Sequence, residues 1–200
     1  MSLITLFESG IIHLADHHYH YEHLPTLAKD MLRGIPTSWD ETKFVEGYPS
    51  DYVVLARRKG LNWYISGINA DTTSSQSITI NSTFASPGVY HFKAMKDGAT
   101  KSDLDLTVGD YKTDSTIAIT MAPYGGFTYV LEAKCLDALN LTMTNEGVTD
   151  SIYKAKGINM TNKIKSPSKV TSSADNFVVM EAPFQVESGS VFKAEIGGCL

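Results

Sequence analysis

TSWDETKFVEGYPSDYVVLARRKGLNWYISGINA, from Thr37 to Ala70, is the stretch on which the fold turns. Tyr52 to Arg57 and Trp63 to Ile68 are dense in β-branched and aromatic residues. Between them lie Arg58, Lys59, Gly60, Leu61 and Asn62, a short glycine-containing loop of the kind that joins hairpin strands. The composition predicts two antiparallel neighbours and therefore a sheet with further strands to find.

Downstream, short runs rich in Val, Ile, Tyr, Phe and Thr continue at the spacing of a two-layer β-fold: Ser77 to Ile80, Val89 to Met95, Thr116 to Met121 and Phe127 to Ala133. Turn residues separate them at Ser86-Pro87-Gly88, Lys96-Asp97-Gly98 and Pro123-Tyr124-Gly125-Gly126. Residues 37–135 read as one antiparallel β-sandwich of about six to eight strands. After Cys135 the composition shifts to Ser, Thr, Asn and Lys, and residues 136–200 read as a small all-β module. Its candidate strands are Leu139 to Met143, Ile158 to Met160, Asn176 to Met180 and Ser190 to Ile196, short enough to need support from neighbouring structure.

Upstream, the apolar residues of Gly10 to Arg33 recur at helical spacing, with Ile11, Leu14 and Ala15 in one set and Leu24, Leu27, Ala28, Met31 and Leu32 in another. Two helices are expected. Pro25 marks the start of the second and Gly34 with Pro36 its stop. Ile4 to Phe7 reads as the end of a buried strand, so Met1 to Leu3 would be joined to a mid-protein segment. The fold class is mainly β, with a helical N-terminal segment over residues 1–36.

A composition of 42% hydrophobic and 20% charged residues is ordinary for a globular chain. A net charge of −5, with no run of Lys and Arg that would override it locally, argues against nucleic acid as a partner. No apolar stretch reaches the roughly 20 residues that cross a bilayer, and the N-terminus lacks the pattern of an export signal. Cys135 and Cys199 lie far apart and read as two separate thiols. Were they paired, closing the loop would contribute about 4 kcal/mol in the chain-entropy account.

The quoted stretch closely resembles the barrel-to-sandwich junction of glycoside hydrolase family 97. FESGIIHLAD (Phe7 to Asp16) and a helix ending at Ile35-Pro36 precede it; KDG (Lys96 to Gly98) and MAPYGGFTYVL (Met121 to Leu131) follow it in the same order. The resemblance implies a parent with a catalytic (β/α)8 barrel flanked by β-sandwich domains, acting as an exo α-glucosidase or α-galactosidase with calcium beside its carboxylates. It places those carboxylates upstream of Met1, so that residues 1–36 are a barrel remnant. A barrel needs about 200 to 250 residues, and the chain should be catalytically silent, with no cofactor of its own. The parent's barrel is the implied partner, with oligosaccharide as a further one. Implied locations are the periplasm, the outer-membrane surface or the exterior of a Gram-negative cell. FQVESGSVFKAEIGGC (Phe184 to Cys199) resembles the ending of a β module at the C-termini of secreted Bacteroidetes proteins, nicknamed stacked coathangers. Glu181-Ala182-Pro183-Phe184 keeps the Pro and Phe of its preceding motif and lacks the Gly.

Candidate chemistry weighs against catalysis. A glycosidase needs two carboxyl groups across the scissile bond. Asp40 and Glu41 are neighbours and would splay apart, so Asp40 reads as a turn or capping acceptor; Glu8 reads as structural. His13, His17 and His20 fall at spacings of four and three beside His18 and His23, but no Cys or HExxH pattern accompanies them, and a solvated helix face is expected rather than a metal site. Trp39 and Trp63 read as packing residues, and Trp63 and Tyr64, facing opposite ways on one strand, leave room for only one in a core. Tyr124, in its glycine-rich turn, is the aromatic expected to be exposed and the one candidate for stacking on a sugar ring. Arg57, Arg58 and Lys59 read as a solvated turn with one Arg paired to a carboxylate. Asn81, Asn140 and Asn159 open glycosylation-like triplets that carry no site. Ile4, Phe7, Ile11 and Leu14, if shaped to pack in a barrel, should cover the sandwich or mediate self-association through the N-terminal helices.

Overall fold

The computed structural model describes residues 2–9, 11, 17–98, 103–142 and 151–197. His13, Leu14, Ala15, Met143 and Cys199, named above among the candidate helix, strand and thiol residues, lie outside them. The protein is mainly β, and it divides into two compact units: residues 1–85 with 91–132, and residues 86–90 with 133–200.

The first unit is built on the anticipated hairpin. Strands β1 (Glu41–Tyr48), β2 (Tyr52–Lys59), β3 (Asn62–Asn69) and the start of β8 (Gly126–Leu141) pair antiparallel in that order. Strand β5 (Gly88–Asp97) pairs with β8 and with β6 (Leu104–Lys112), while β4 (Gln76–Asn81) and β7 (Thr116–Met121) form a separate antiparallel pair. Burial alternates along β4 and β7, with Ile78, Ile80, Ile117, Ile119 and Met121 inward, as a one-sided sheet requires. β1 and β6 have no counterpart among the expected strands.

The β2–β3–β8 sheet is buried on both faces. One carries Val54, Ala56, Trp63, Ile65, Phe127 and Leu131, and the Trp63 ring meets Phe84 at 4.8 Å. Gly67 belongs to this layer by necessity, since a Cβ there would lie 2.5 Å from the Phe127 ring. The other face carries Arg57, Tyr64, Ser66, Thr128 and Val130 beneath helices. Helix α3 (Thr26–Arg33) starts after Pro25 and ends at Gly34, as its breakers predict, and sets Ala28 and Met31 against Tyr64, Met95 and Val130. Trp63 and Tyr64 are therefore both core, at 3% and 8% exposure, and the expectation of only one fails because helices cover the second face.

Ile4 to Phe7 does not end a strand. Ser2–Leu6 is a one-turn helix, α1, held by polar groups: the Thr5 hydroxyl bonds Ser66, Ser66 donates to Thr128, and Arg57 Nη2 donates to the Leu6 carbonyl at 2.9 Å. A short sequence with Ser and Thr one turn apart can satisfy a sheet's buried hydroxyls as a helix, which a strand pattern does not reveal.

In the second unit the pairing is parallel. The end of β8 pairs with β9 (Ser151–Met160), β9 with β11 (Lys169–Met180), and β11 with β13 (Val191–Ile196); β10 (Lys163–Ile164) pairs with β12 (Gln185–Val186). Leu136, Ala155, Ala174 and Ile196 stand in successive register, 19, 19 and 22 residues apart. The chain thus coils in rungs, each laid on the last. Identical or complementary groups stack: Asn159 donates to Asn140 at 3.0 Å, and Lys156 pairs with Asp137. Cys135 is buried and disulfide-bonded, which overturns its reading as a separate thiol.

Candidate functional site

The Thr37 to Ala70 hairpin gathers the charged candidates in one place. Asp40 lies just before β1 and accepts from the Gly60 N–H at 2.7 Å and from Lys59 Nζ at 3.3 Å, so it closes the β2–β3 turn from outside, as an acceptor. Burial alone would raise its carboxyl; the Gly60 N–H, Lys59 and Arg58 outweigh that and hold it below its ordinary value. Glu41 is held low by Lys43 at 2.7 Å and Arg58 at 3.1 Å. Both carboxylates are committed to cations and stay ionised, so neither can donate a proton to a leaving group. Arg58 is the arginine expected to pair with a carboxylate.

Arg57 is not solvated, contrary to expectation. Because β2 runs on through Lys59, Arg57 sits inside the strand facing the helices, 5% exposed, with its guanidinium 5.6 Å from the Trp39 ring. Its Nε and Nη1 have no hydrogen-bond partner. Trp39 itself packs against the α3 layer, its ring 5.1 Å from Tyr64, as a packing residue should.

The other candidates do not converge. Glu8 is exposed and follows a helix. His17 caps α2 (His18–His23) instead of lying within it, its Nδ1 accepting from the Tyr19 N–H, while His23 donates to the Tyr19 carbonyl at 2.7 Å. Among the described residues no three His, Cys, Asp or Glu side chains gather as a metal site would need.

Tyr124 is where exposure was expected. It is 73% exposed, with φ of 56° in the left-handed region, and its N–H donates to the Asp71 carbonyl. Gly125 follows because a Cβ would meet Asp97 Oδ2 at 2.7 Å. A bulky residue held in that conformation costs about 1–3 kcal/mol, so the surrounding turn must over-determine it.

A second surface escaped sequence reasoning. Phe44 and Tyr48 of β1 stand 68% and 69% exposed beside a groove of about 390 Å³ whose walls include Tyr52, Val53 and Ile68. Gly47 opens its floor, since a Cβ there would lie 2.6 Å from the Tyr52 carbonyl oxygen. The signal was present in KFVEGY, two aromatics four apart in a strand, but a bulge between Phe44 and Glu46 hides the alternation.

Comparison with known proteins follows the same division of the chain. Residues 38–132 match the family described as glycosyl-hydrolase 97 C-terminal, oligomerisation. A retaining α-galactosidase of Bacteroides thetaiotaomicron is 33% identical over 131 residues, 64% of this chain and 19% of that protein. A probable retaining α-galactosidase of Streptomyces bingchenggensis is 35% identical over 80 residues, 40% of this chain and 12% of that protein. A crystal structure of a β-arabinopyranosidase is similar with a TM-score of 0.55 at 28% identity, over 64% of this chain and 20% of that one. The chain spans less than a fifth of the length of these curated relatives. Residues 38–132 are accordingly similar to the C-terminal portion of family 97 glycosidases.

Proposed function

We propose that this chain is the non-catalytic C-terminal accessory region of a polysaccharide-degrading glycoside hydrolase. In this reading residues 37–135 brace a catalytic barrel and serve assembly, residues 1–36 are the barrel's remnant, and residues 136–200 are an attachment or spacing module. The observation that carries it is the match of residues 38–132 to a family described by oligomerisation rather than by catalysis. The commitment of Asp40 and Glu41 to Arg58, Lys59 and Lys43 agrees with it. For the parent's substrate, α-galactosides are favoured over α-glucosides. Two curated relatives are named α-galactosidases.

The rungs of the second unit support its reading as a stacked coathanger-like tail, and with it an address beyond the inner membrane; fractionation of the native producer tests this, and recovery of the full-length protein in the cytosol alone would refute it. Calcium, where the parent holds it, belongs to the catalytic domain. The experiment for the central claim is hydrolysis by the purified chain of the p-nitrophenyl glycosides of α-galactose, α-glucose and β-L-arabinopyranose. No turnover above buffer is expected, and enzyme-like turnover that survives repurification overturns the proposal.

A second reading, carbohydrate binding, rests on Tyr124, whose exposed ring is carried on backbone in the left-handed region. Calorimetric titration with α-galactosides and maltooligosaccharides decides it. Saturable binding abolished by Tyr124→Ala supports a binding module, and no heat in either titration removes it.

A further inference from the structure

We propose that the outer face of the second unit's coil is a binding platform for a neutral pyranose, with Phe177 as its stacking ring; this rests on the reading of residues 136–200 as an attachment module and names what that module would hold. Partners in a parallel register lie on one face, so two columns cross the rungs: Ala138, Gly157 and Phe177, and beside them Asn140, Asn159 and Val179. Leu139 and Ile158, which stand between the columns, are buried in the coil, so both columns belong to its outer side. The second column lies two residues further along each strand, about 7 Å from the first.

The Phe177 ring lies flat on this face. A Cβ added at Gly157 would stand 2.5 Å from the ring's Cζ and 2.9 Å from both Cε atoms. Equal distances to the two Cε atoms, little longer than that to Cζ, put the point above the ring plane; a ring meeting Gly157 edge-on would hold its Cε atoms much farther off. Phe177 thus reaches from its own rung across the next, covers Gly157 and keeps its opposite face in water, at 44% exposure. Among the described residues of the second unit it is the one exposed aromatic, since Phe184 and Phe192 pack on each other at 5.2 Å and Tyr153 is half-buried. A glycine inside a strand marks a close approach, and here it seats a ring whose free face is open to a flat ligand.

The surroundings of the ring define the ligand's chemistry. Asn159 Nδ2 donates to Asn140 Oδ1 at 3.0 Å, which leaves the Asn140 amide N–H groups and the Asn159 side-chain carbonyl open beside the ring, donors and acceptor together. The neighbouring charges are compensated within the chain: Lys156 Nζ meets Asp137 Oδ1 at 2.5 Å, and Asp175 acts on the same ammonium. They ask for no charged ligand. Phe177 and Val179 are the only large apolar side chains of the two columns, a patch far below the roughly 800 Å² that each side of a stable protein interface contributes. A small apolar centre with amides at its rim suits a pyranose, whose C–H face stacks on the ring while its hydroxyls reach the amides.

The test is NMR titration of the whole 21.9 kDa chain with raffinose and with maltotriose, beside Phe177→Ala, Gly157→Ala and Tyr124→Ala. Phe177 is exposed, and the Cβ of Gly157→Ala meets only the tip of a movable ring, so both variants should fold, as circular dichroism will check. Saturable binding should shift the protons of one pyranose face upfield, as stacking on a ring does. Phe177→Ala should weaken the affinity about tenfold or more. Gly157→Ala, which keeps the ring but lifts it from its seat, should weaken it by a smaller factor, and Tyr124→Ala should leave it unchanged. Independently of any variant, nuclear Overhauser contacts from the sugar's C–H protons should run to a phenylalanine ring; contacts to a tyrosine ring instead overturn the site. Affinity unchanged in Phe177→Ala also overturns it, and loss in Tyr124→Ala alone moves sugar binding to the first unit. No saturable shift with either sugar overturns the platform, while attachment remains with the fractionation and the non-catalytic reading with the hydrolysis assay. Should light scattering find Phe177→Ala lighter than an intact chain that binds no sugar, the ring serves contact between copies and the platform falls.

Discussion

The two units build sheets in opposite ways. In the first, the pairing is antiparallel, with hairpins such as β2–β3 closed by a tight turn from Lys59 to Asn62, and the layer is sealed by large side chains: Trp63, Tyr64, Ile65, Phe127 and Leu131. In the second, neighbours lie about 20 residues apart and the centre is filled by smaller groups, with Ala155, Ala174 and Ser172 fully buried among Ile158, Met160 and Val170. A hairpin tolerates a bulky core because its two strands are matched by one local turn and no position has to repeat from level to level. A coil of parallel rungs must repeat its width at every level, so each position is constrained by those above and below it.

Position along the coil should therefore decide the cost of a substitution, and the largest effect belongs to the middle rung. Ile158 is fully buried, in register with Leu139 on one side and Val178 on the other. Ile158→Ala should cost about 2–5 kcal/mol. Ile196→Ala, at the outer rung and 65% exposed, should cost within about 0.5 kcal/mol. Both tryptophans, Trp39 and Trp63, lie in the first unit, so circular dichroism in urea should register the loss in the second. Equal costs at Ile158 and Ile196 would show that the rungs do not support one another.

In the first unit, a smaller effect of opposite sign is expected at Arg57. Its charge is buried with one hydrogen bond and a ring contact, and two of its nitrogens have no acceptor. Replacing a buried, poorly compensated charge by an apolar side chain of like length is commonly neutral or stabilising. Arg57→Met should raise stability by about 1–2 kcal/mol, read as a higher urea midpoint followed by tryptophan fluorescence. A loss of more than about 1 kcal/mol would mean that the Leu6 carbonyl and the Trp39 ring compensate the charge fully.

Legibility follows the same contrast. The hairpin strands, the Thr116–Met121 strand and the α3 boundaries could be read because local signals determine them: alternation, a glycine loop, Pro25 and Gly34. Parallel rungs carry no turn signature, and their repeat of 19 to 22 residues holds no repeated motif, only repeated shape, so β9 and β11 were visible merely as their apolar ends. Tyr124 was legible from its glycines. The exposure of Phe44 and Tyr48 and the burial of Arg57 were not, because both depend on which strand forms an edge and which face a helix covers.

The smallest expected effect tests whether charge, rather than packing, secures the first unit's central turn. Asp40 and Glu41 have folded-state pKa values below their ordinary 3.8 and 4.5, so the folded protein favours their ionised forms. A group depressed in this way contributes fully above its unfolded pKa, and the contribution is lost as pH falls through the folded value. Stability from the turn should therefore hold near pH 6 and decline from about pH 4.5 downward. Because the carboxylates are substantially exposed, each pair should contribute less than about 1 kcal/mol. Glu187, held low first by Lys163 and then by the Ser166 N–H, gives the second unit the same direction of dependence. Urea midpoints at pH 6 and pH 3 for the intact chain and for Asp40→Asn with Glu41→Gln provide the measurement. The double variant should lose less on acidification, with the difference confined to the tryptophan signal of the first unit. If its acid loss instead equals that of the intact chain, the Gly60 turn is held by the backbone geometry of the hairpin alone.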